Sequence, residues 1–223
     1  TDSGGAPGGV TWLKDATANY SLECHYGETY VPDDAFEQAL INLGYDSGVL
    51  DDYVITSNIN SVAILDVSNQ NILDLTGIED FVALTNLIIA ENTISIIDLS
   101  SNIFLISLNA SGNLLTAIDV SSNTNLTTLN LSNNGLSQIN LDSNVSLLNV
   151  DVSANALTSL SISTLVNLQK LNCSENLLDE LNAASNPNLV SLYCQYNSFV
   201  QDKLNIQNGT NQNLKIFNAT NNL

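Results

Sequence analysis

Apolar positions along this chain recur with a period of 21 residues. The frame L-x-x-L-x-L-x-x-N is carried by Leu84, Leu87 and Ile89 with Asn92, and by Leu105, Leu108 and Ala110 with Asn113. Leu126, Leu129 and Leu131 with Asn134 continue it, as do Leu147, Val150 and Val152 with Asn155. Leu168, Leu171 and Cys173 with Asn176, and Leu189, Leu192 and Cys194 with Asn197, extend it further. Val62, Leu65 and Val67 with Gln70 open the series, and Leu214, Phe217 and Ala219 with Asn222 follow a four-residue insertion around positions 202–209. A fixed period in this range marks a solenoid, in which each repeat is one coil and buries its apolar face only against its neighbours. The alternation within x-L-x-L predicts a short strand that pairs with its counterpart in the next coil. The asparagines are predicted to turn inward and bond the backbone of the turn, because an unpaired buried polar group costs roughly 1–3 kcal/mol.

The other half of each coil carries Ile97-Asp98-Leu99, Ile118-Asp119-Val120, Ile139-Asn140-Leu141, Leu160-Ser161-Ile162 and Leu181-Asn182-Ala183. Two apolar residues flank one polar residue, which predicts a second short extended segment and few or no helices on the convex side. Ahead of the repeats, Phe36, Ala39, Leu40 and Leu43 fall at i, i+3, i+4 and i+7, the spacing of one helix face. Pro32 suits the start, Asp34 and Glu37 have capping-box spacing, and Gly44 is a natural stop. A helix at about 33–43 therefore caps the open end of the apolar core. The chain divides into residues 1–27, a tail or linker with a Gly-rich start at 1–9 and Trp12, Tyr20 and Tyr26 available to pack on the cap; residues 28–60, the cap; and residues 61–223, about eight repeats. The last repeat is incomplete, so the natural protein is expected to continue into further domains or to assemble with other surface proteins.

These motifs resemble bacterial leucine-rich repeat proteins with the short coils of internalin-like surface proteins. Leu126-Thr-Thr-Leu-Asn-Leu-Ser-Asn-Asn134, followed by Ile139-Asn-Leu-Asp-Ser-Asn144, is similar to repeats of secreted Bacteroidetes surface proteins. Tyr30-Val-Pro-Asp-Asp-Ala-Phe-Glu-Gln-Ala-Leu40 resembles the opening of such modules. The resemblance covers about residues 28–223. It implies a mostly β leucine-rich repeat solenoid with a curved parallel sheet and an N-terminal α-helical cap. It also implies an extracellular module that binds protein or carbohydrate on its concave face.

Composition narrows the partner. Asp and Glu number 23 against 4 Lys and Arg, a net charge of −19. Nucleic acid, whose affinity rests on neutralising phosphates, is excluded, and so are anionic membrane surfaces. No apolar run approaches the roughly 18 residues of a membrane helix. Abundant Asn, Ser and Thr with scarce Lys point to a secreted or surface protein. One histidine, His25, leaves no Ser-His-Asp arrangement, and acids on a flat sheet do not form a cleft, so no catalysis is expected. No cofactor is expected beyond calcium, for which stacked Asp98 and Asp119 are the candidates, with the acidic turn of Asp46, Asp51 and Asp52 behind them. Cys24 beside His25 offers too few ligands for a metal site. Cys173 and Cys194, 21 apart, share one core position, and a disulfide between them is not excluded by coil spacing. For the partner, Tyr193, Tyr196 and Lys170 are expected to cluster with Glu175 and Asp151 near the C-terminal end, beside outward-facing Asn172 and Asn130. Aromatic rings next to a charge suit an interface or a sugar ring. The alternative is a structural spacer, the N-terminal part of a larger surface assembly with no ligand of its own.

Overall fold

A computed structural model describes residues 25–200, 202–209 and 213–222. The expectations placed on Trp12, Tyr20 and Cys24 lie outside the described residues. The repeat frame becomes a stack of coils, each contributing one three-residue strand to an eight-stranded parallel sheet. In spatial order the strands are β3 (Ile64–Asp66), β4 (Asn86–Ile88), β5 (Ser107–Asn109), β6 (Thr128–Asn130), β7 (Asn149–Asp151), β8 (Lys170–Asn172), β10 (Ser191–Tyr193) and β12 (Ile216–Asn218). The register is set by the middle residue. Leu65, Leu87, Leu108, Leu129, Val150, Leu171 and Leu192 stand opposite one another in turn, and Phe217 closes the row. All but Phe217 are buried, and Phe217 is 45% exposed on the outermost strand.

The cap holds more structure than its periodicity predicts. Strand β1 (Glu28–Tyr30) pairs antiparallel with β2 (Tyr53–Ile55), which leads into one helical turn, α2 (Thr56–Ile59). Between the strands lies helix α1 (Asp34–Leu43), with Gly44 as a left-handed C-cap at φ 80°. Phe36, Ala39 and Leu40 are buried as expected, whereas Leu43 is 46% exposed. The expected capping box between Asp34 and Glu37 does not form. Asp33, not Asp34, is the N-cap: its Oδ1 accepts from the backbone N–H of Ala35 and Phe36, both at 2.9 Å. The choice between adjacent aspartates is tertiary, since Asp33 Oδ2 also accepts from Leu73 and Asp74 of the first coil. Glu37, freed from the box, is buried and accepts from the N–H of Asp51 (2.8 Å) and Asp52 (3.1 Å).

Burial raises the pKa of Glu37 above the ordinary carboxylate range, opposed by those two N–H groups and assisted by the Asp51 and Asp46 charges. A raised folded-state pKa means the folded protein binds the proton more tightly than the unfolded chain. The stabilisation from Glu37 is thus complete below about pH 4.5 and declines as pH rises through the raised value. Urea midpoints of Glu37→Gln and the parent, measured across that window, are expected to converge or cross in favour of the variant as pH rises. A constant offset would refute the assignment.

Two buried asparagine columns run the length of the solenoid. The frame asparagines are satisfied at both ends. Asn134 Oδ1 accepts from Leu115 N–H, and its Nδ2 donates to the carbonyls of Ala110, Leu131 and Ser132. The same pattern recurs at Asn113, Asn155, Asn176 and Asn197. A second column, Asn102, Asn123, Asn144, Asn186 and Asn208, is buried on the opposite side. The Nδ2 of each donates to carbonyls of the preceding coil, while each Oδ1 has no protein partner among the described residues. The residue before each frame asparagine adopts a left-handed conformation: Glu91, Gly112, Asn133, Ala154, Glu175 and Tyr196 have φ between 51° and 65°.

On the convex side the described residues hold one 3-10 turn, Ile78–Asp80, and no α-helix, and strand pairing there is sparse. Only β9 (Leu181–Asn182) and β11 (Leu204–Asn205) pair. At Asp98, Asp119, Asn140 and Asn182 the side-chain Oδ1 instead accepts the N–H two residues on. The chain then turns, with Asn102, Asn123 and Asn144 N–H bonded within their own coils. Cys173 and Cys194 are buried free thiols in adjacent coils. Burial pushes the Cys194 thiol up to about 12 and that of Cys173 well above its ordinary value, so neither forms a thiolate readily.

Candidate functional site

Side chains that leave the sheet on its concave face are stitched to the strand ends. Asp66, Asn109, Asn130, Asp151, Asn172 and Asn218 each accept, through Oδ1, the N–H and the hydroxyl of the residue two further on. The hydroxyl donors are Ser68, Ser111, Ser132, Ser153, Ser174 and Thr220, at 2.6–2.9 Å. This recurrence explains the small polar column as edge chemistry that keeps the strand from continuing. It breaks twice, at Ile88 on β4 and at Tyr193 on β10, and only at Tyr193 does an aromatic ring take the place of the amide or carboxylate.

Around the break at Tyr193 lies a shallow hollow of about 650 Å³ across β6, β7, β8, β10 and β12. Tyr193, Asn172, Asp151, Asn130 and Lys170, all expected as partner-binding residues, line it together with Ser191 and others of the adjacent outward column. Within it, both Asp151 oxygens already accept: Oδ1 from Ser153 and Oδ2 from Asn172 Nδ2 at 3.0 Å. Lys170 stands in register with Asn149 on one side and Ser191 on the other. It is exposed and makes no ion pair among the described residues, unlike Lys203, whose Nζ lies 2.8 Å from Glu180. Thr128, Asn149, Ser191 and Ile216 also belong to the hollow. Their signal was the period-2 alternation of the same strands, which places them on the same face as Tyr193.

Tyr196 and Glu175 are not brought to this hollow. Both occupy the left-handed position after a strand and meet each other in a separate, open depression of about 400 Å³. The two residues between Tyr193 and Tyr196 lead the chain off the sheet, so the two rings belong to different surfaces.

The calcium candidates are each committed to their own turn. Asp98 and Asp119 are held below the ordinary carboxylate range by the N–H and hydroxyl of Ser100 and Ser121 respectively. Asp119 pushes Asp98 weakly the other way. Asp34, Glu37 and Asp52 form a closer group, with ligand oxygens within 4.8 Å of one another. The two Glu37 oxygens there already accept backbone N–H groups. His25, next to Cys24, stacks on Tyr53 with ring centroids 3.6 Å apart and its Nδ1 meets the Glu28 carboxylate.

The family described as the leucine-rich repeat domain of endo-beta-N-acetylglucosaminidase EndoS matches residues 44–155, just over half of the chain. The chain belongs to this leucine-rich repeat family. No curated protein matches the sequence. Among solved structures, the functional domain of InlJ from Listeria monocytogenes, described as including a cysteine ladder, is 26% identical with a TM-score of 0.68. That match covers 87% of this chain and 48% of the other, so this chain spans about half the length of that InlJ domain. Internalin C2 of the same species is 22% identical with a TM-score of 0.76, covering 86% of each chain. A leucine-rich repeat protein of Leptospira interrogans is 21% identical with a TM-score of 0.58, covering 75% of this chain and 51% of its own. The last two likenesses concern the fold alone. This leucine-rich repeat fold is bacterial and internalin-like, and it serves in general as a protein-interaction scaffold.

Proposed function

We propose that this chain is a non-catalytic recognition module of a secreted or cell-surface bacterial protein, binding a protein or glycan in the concave hollow around Tyr193. The observation that carries the reading is the break in the stitched column. Asn or Asp is tied to its own turn on six of the eight strands; Ile88 replaces it on β4, and on β10 an aromatic ring faces outward beside an exposed ammonium. Aromatic side chains supply large contact area at low entropic cost, and the flanking amides and hydroxyls orient a polar partner. The acidic composition and scarce lysine support an extracellular setting. Among the described residues, no helix is long and apolar enough to cross a membrane.

The test is binding of the whole chain to printed panels of glycans and of extracellular protein domains. Tyr193→Ala is expected to lower binding about tenfold or more while leaving the urea midpoint unchanged. Ile96→Asp, on the convex side where Ile96 is 81% exposed, is expected to bind as the parent does. Equal binding by Tyr193→Ala and parent would sink the hollow as the site. A parent that binds nothing on either panel would support a spacer.

A further inference from the structure

We propose that the concave hollow selects a carboxylate-bearing saccharide, such as a uronate or sialate unit within an oligosaccharide. This rests on the reading of the hollow as the recognition site. Three observations lead to it.

The first is charge. In a chain with 23 acidic and 4 basic side chains, Lys170 stands on the concave face and makes no ion pair among the described residues. The one carboxylate lining the same hollow, Asp151, is held by Ser153 and Asn172 and forms no ion pair with Lys170. The hollow therefore presents an ammonium donor, and a ligand carboxylate answers it with a charge-assisted hydrogen bond. The overall negative field is screened over about 8 Å at physiological salt, so the local donor governs contact.

The second is the chemistry around that donor. Lys170 is flanked in register by the Asn149 amide and the Ser191 hydroxyl, with Thr128 and Asn130 two strands away on β6. Amides and hydroxyls that both donate and accept match the hydroxyls of a pyranose ring. Tyr193, diagonal to Lys170 across β8 and β10, offers a ring face for stacking.

The third is what the face lacks. A protein interface of standard size is anchored by a cluster of buried aromatic, arginine or aliphatic side chains. Among the outward strand residues that line the hollow, only Tyr193 and Ile216 are of that kind; the rest are amides, hydroxyls, Asp151 and Lys170. A shallow hollow with one aromatic ring set among amides and hydroxyls suits a saccharide better than a protein surface.

The experiment is titration of the full chain, by amide NMR shifts and calorimetry, with an oligogalacturonate, a sialylated oligosaccharide and the carboxyl-reduced counterpart of each. The expected result is binding of at least one acidic saccharide, about tenfold tighter than its reduced counterpart, with shifts at β7, β8 and β10. Lys170→Met is expected to abolish the preference for the acid, and Tyr193→Ala to lose both forms. Which acid binds identifies the source of the carboxylate. Equal affinity for acidic and reduced forms, or a preference that survives Lys170→Met, overturns the proposal while Tyr193-dependent binding leaves the hollow in place. Failure of every saccharide also overturns it. If extracellular protein domains then bind in a Tyr193-dependent way, the ligand is protein and the site stands. If they do not, the reading of the hollow falls with it.

Discussion

Replacing Asn176 with leucine is expected to cost the solenoid about 3 kcal/mol or more, whereas the same exchange at Asn123 is expected to cost about 1 kcal/mol or less. Both side chains are buried and both sit in 21-residue columns, so burial does not separate them. Hydrogen-bond bookkeeping does. Asn176 Oδ1 is the acceptor for Leu157 N–H at 3.0 Å, and that donor is deep in the core with no other partner among the described residues. Asn176 Nδ2 serves the carbonyls of Val152, Cys173 and Ser174. Leucine leaves the buried donor stranded, and an orphaned buried group carries its full desolvation penalty. Asn123 donates to Leu99 and Asn102 carbonyls, but each of these also accepts a backbone N–H, from Asn102 and Leu105. Its Oδ1 has no protein partner to lose. The chain itself carries Leu165, fully buried, at the equivalent place two coils on. Urea unfolding of the two variants, followed by circular dichroism, decides the matter; equal losses would refute the distinction between the columns.

The second large effect is at the cap. Phe36→Ala is expected to destabilise the protein by about 3–5 kcal/mol, in the range for a fully buried phenylalanine. The Phe36 ring is fully buried and stacks against Phe81 of the next layer, centroids 6.3 Å apart. Its removal leaves a cavity where the cap closes the core, and a solenoid end without its cap frays. Hydrogen exchange should show protection lost first in β3 and β4. Phe217→Ala, at the half-exposed outer strand, is the comparison and should cost less than half as much. A loss at Phe36 no larger than at Phe217 would mean that the cap does not carry the N-terminal coils.

The coil architecture was legible because one period controls both the apolar row and the frame asparagines. That Asn92 to Asn197 keep a single spacing leaves little freedom in how the coils stack. The second column, Asn102 to Asn208, carries the same signal but is interrupted by Phe81 and Leu165 in equivalent coils, which hides it among ordinary polar residues. The N-cap was misplaced by one residue because Asp33 and Asp34 are equivalent locally. What selects Asp33 is the pair of N–H groups at Leu73 and Asp74, 40 residues away in sequence. The convex triplets pack on the core but pair as strands only at β9 and β11, which the alternation of apolar and polar residues does not reveal. At the site, Lys170, Asp151, Asn172 and Tyr193 share a face because strand alternation demands it. Tyr196 left the group because its place is a left-handed turn, a conformation the residue type itself disfavours and the stacked coils impose.

The in-register row from Leu65 to Phe217 makes this molecule a ruler. Each coil advances the sheet by one strand spacing, about 4.8 Å. The separation between the capped end and Tyr193 is therefore counted in whole coils rather than set by any single contact. Gain or loss of one 21-residue unit between β4 and β7 would move the hollow by one graduation and leave its lining intact. Reach and recognition can then change independently, one by the number of units and the other by a few outward side chains.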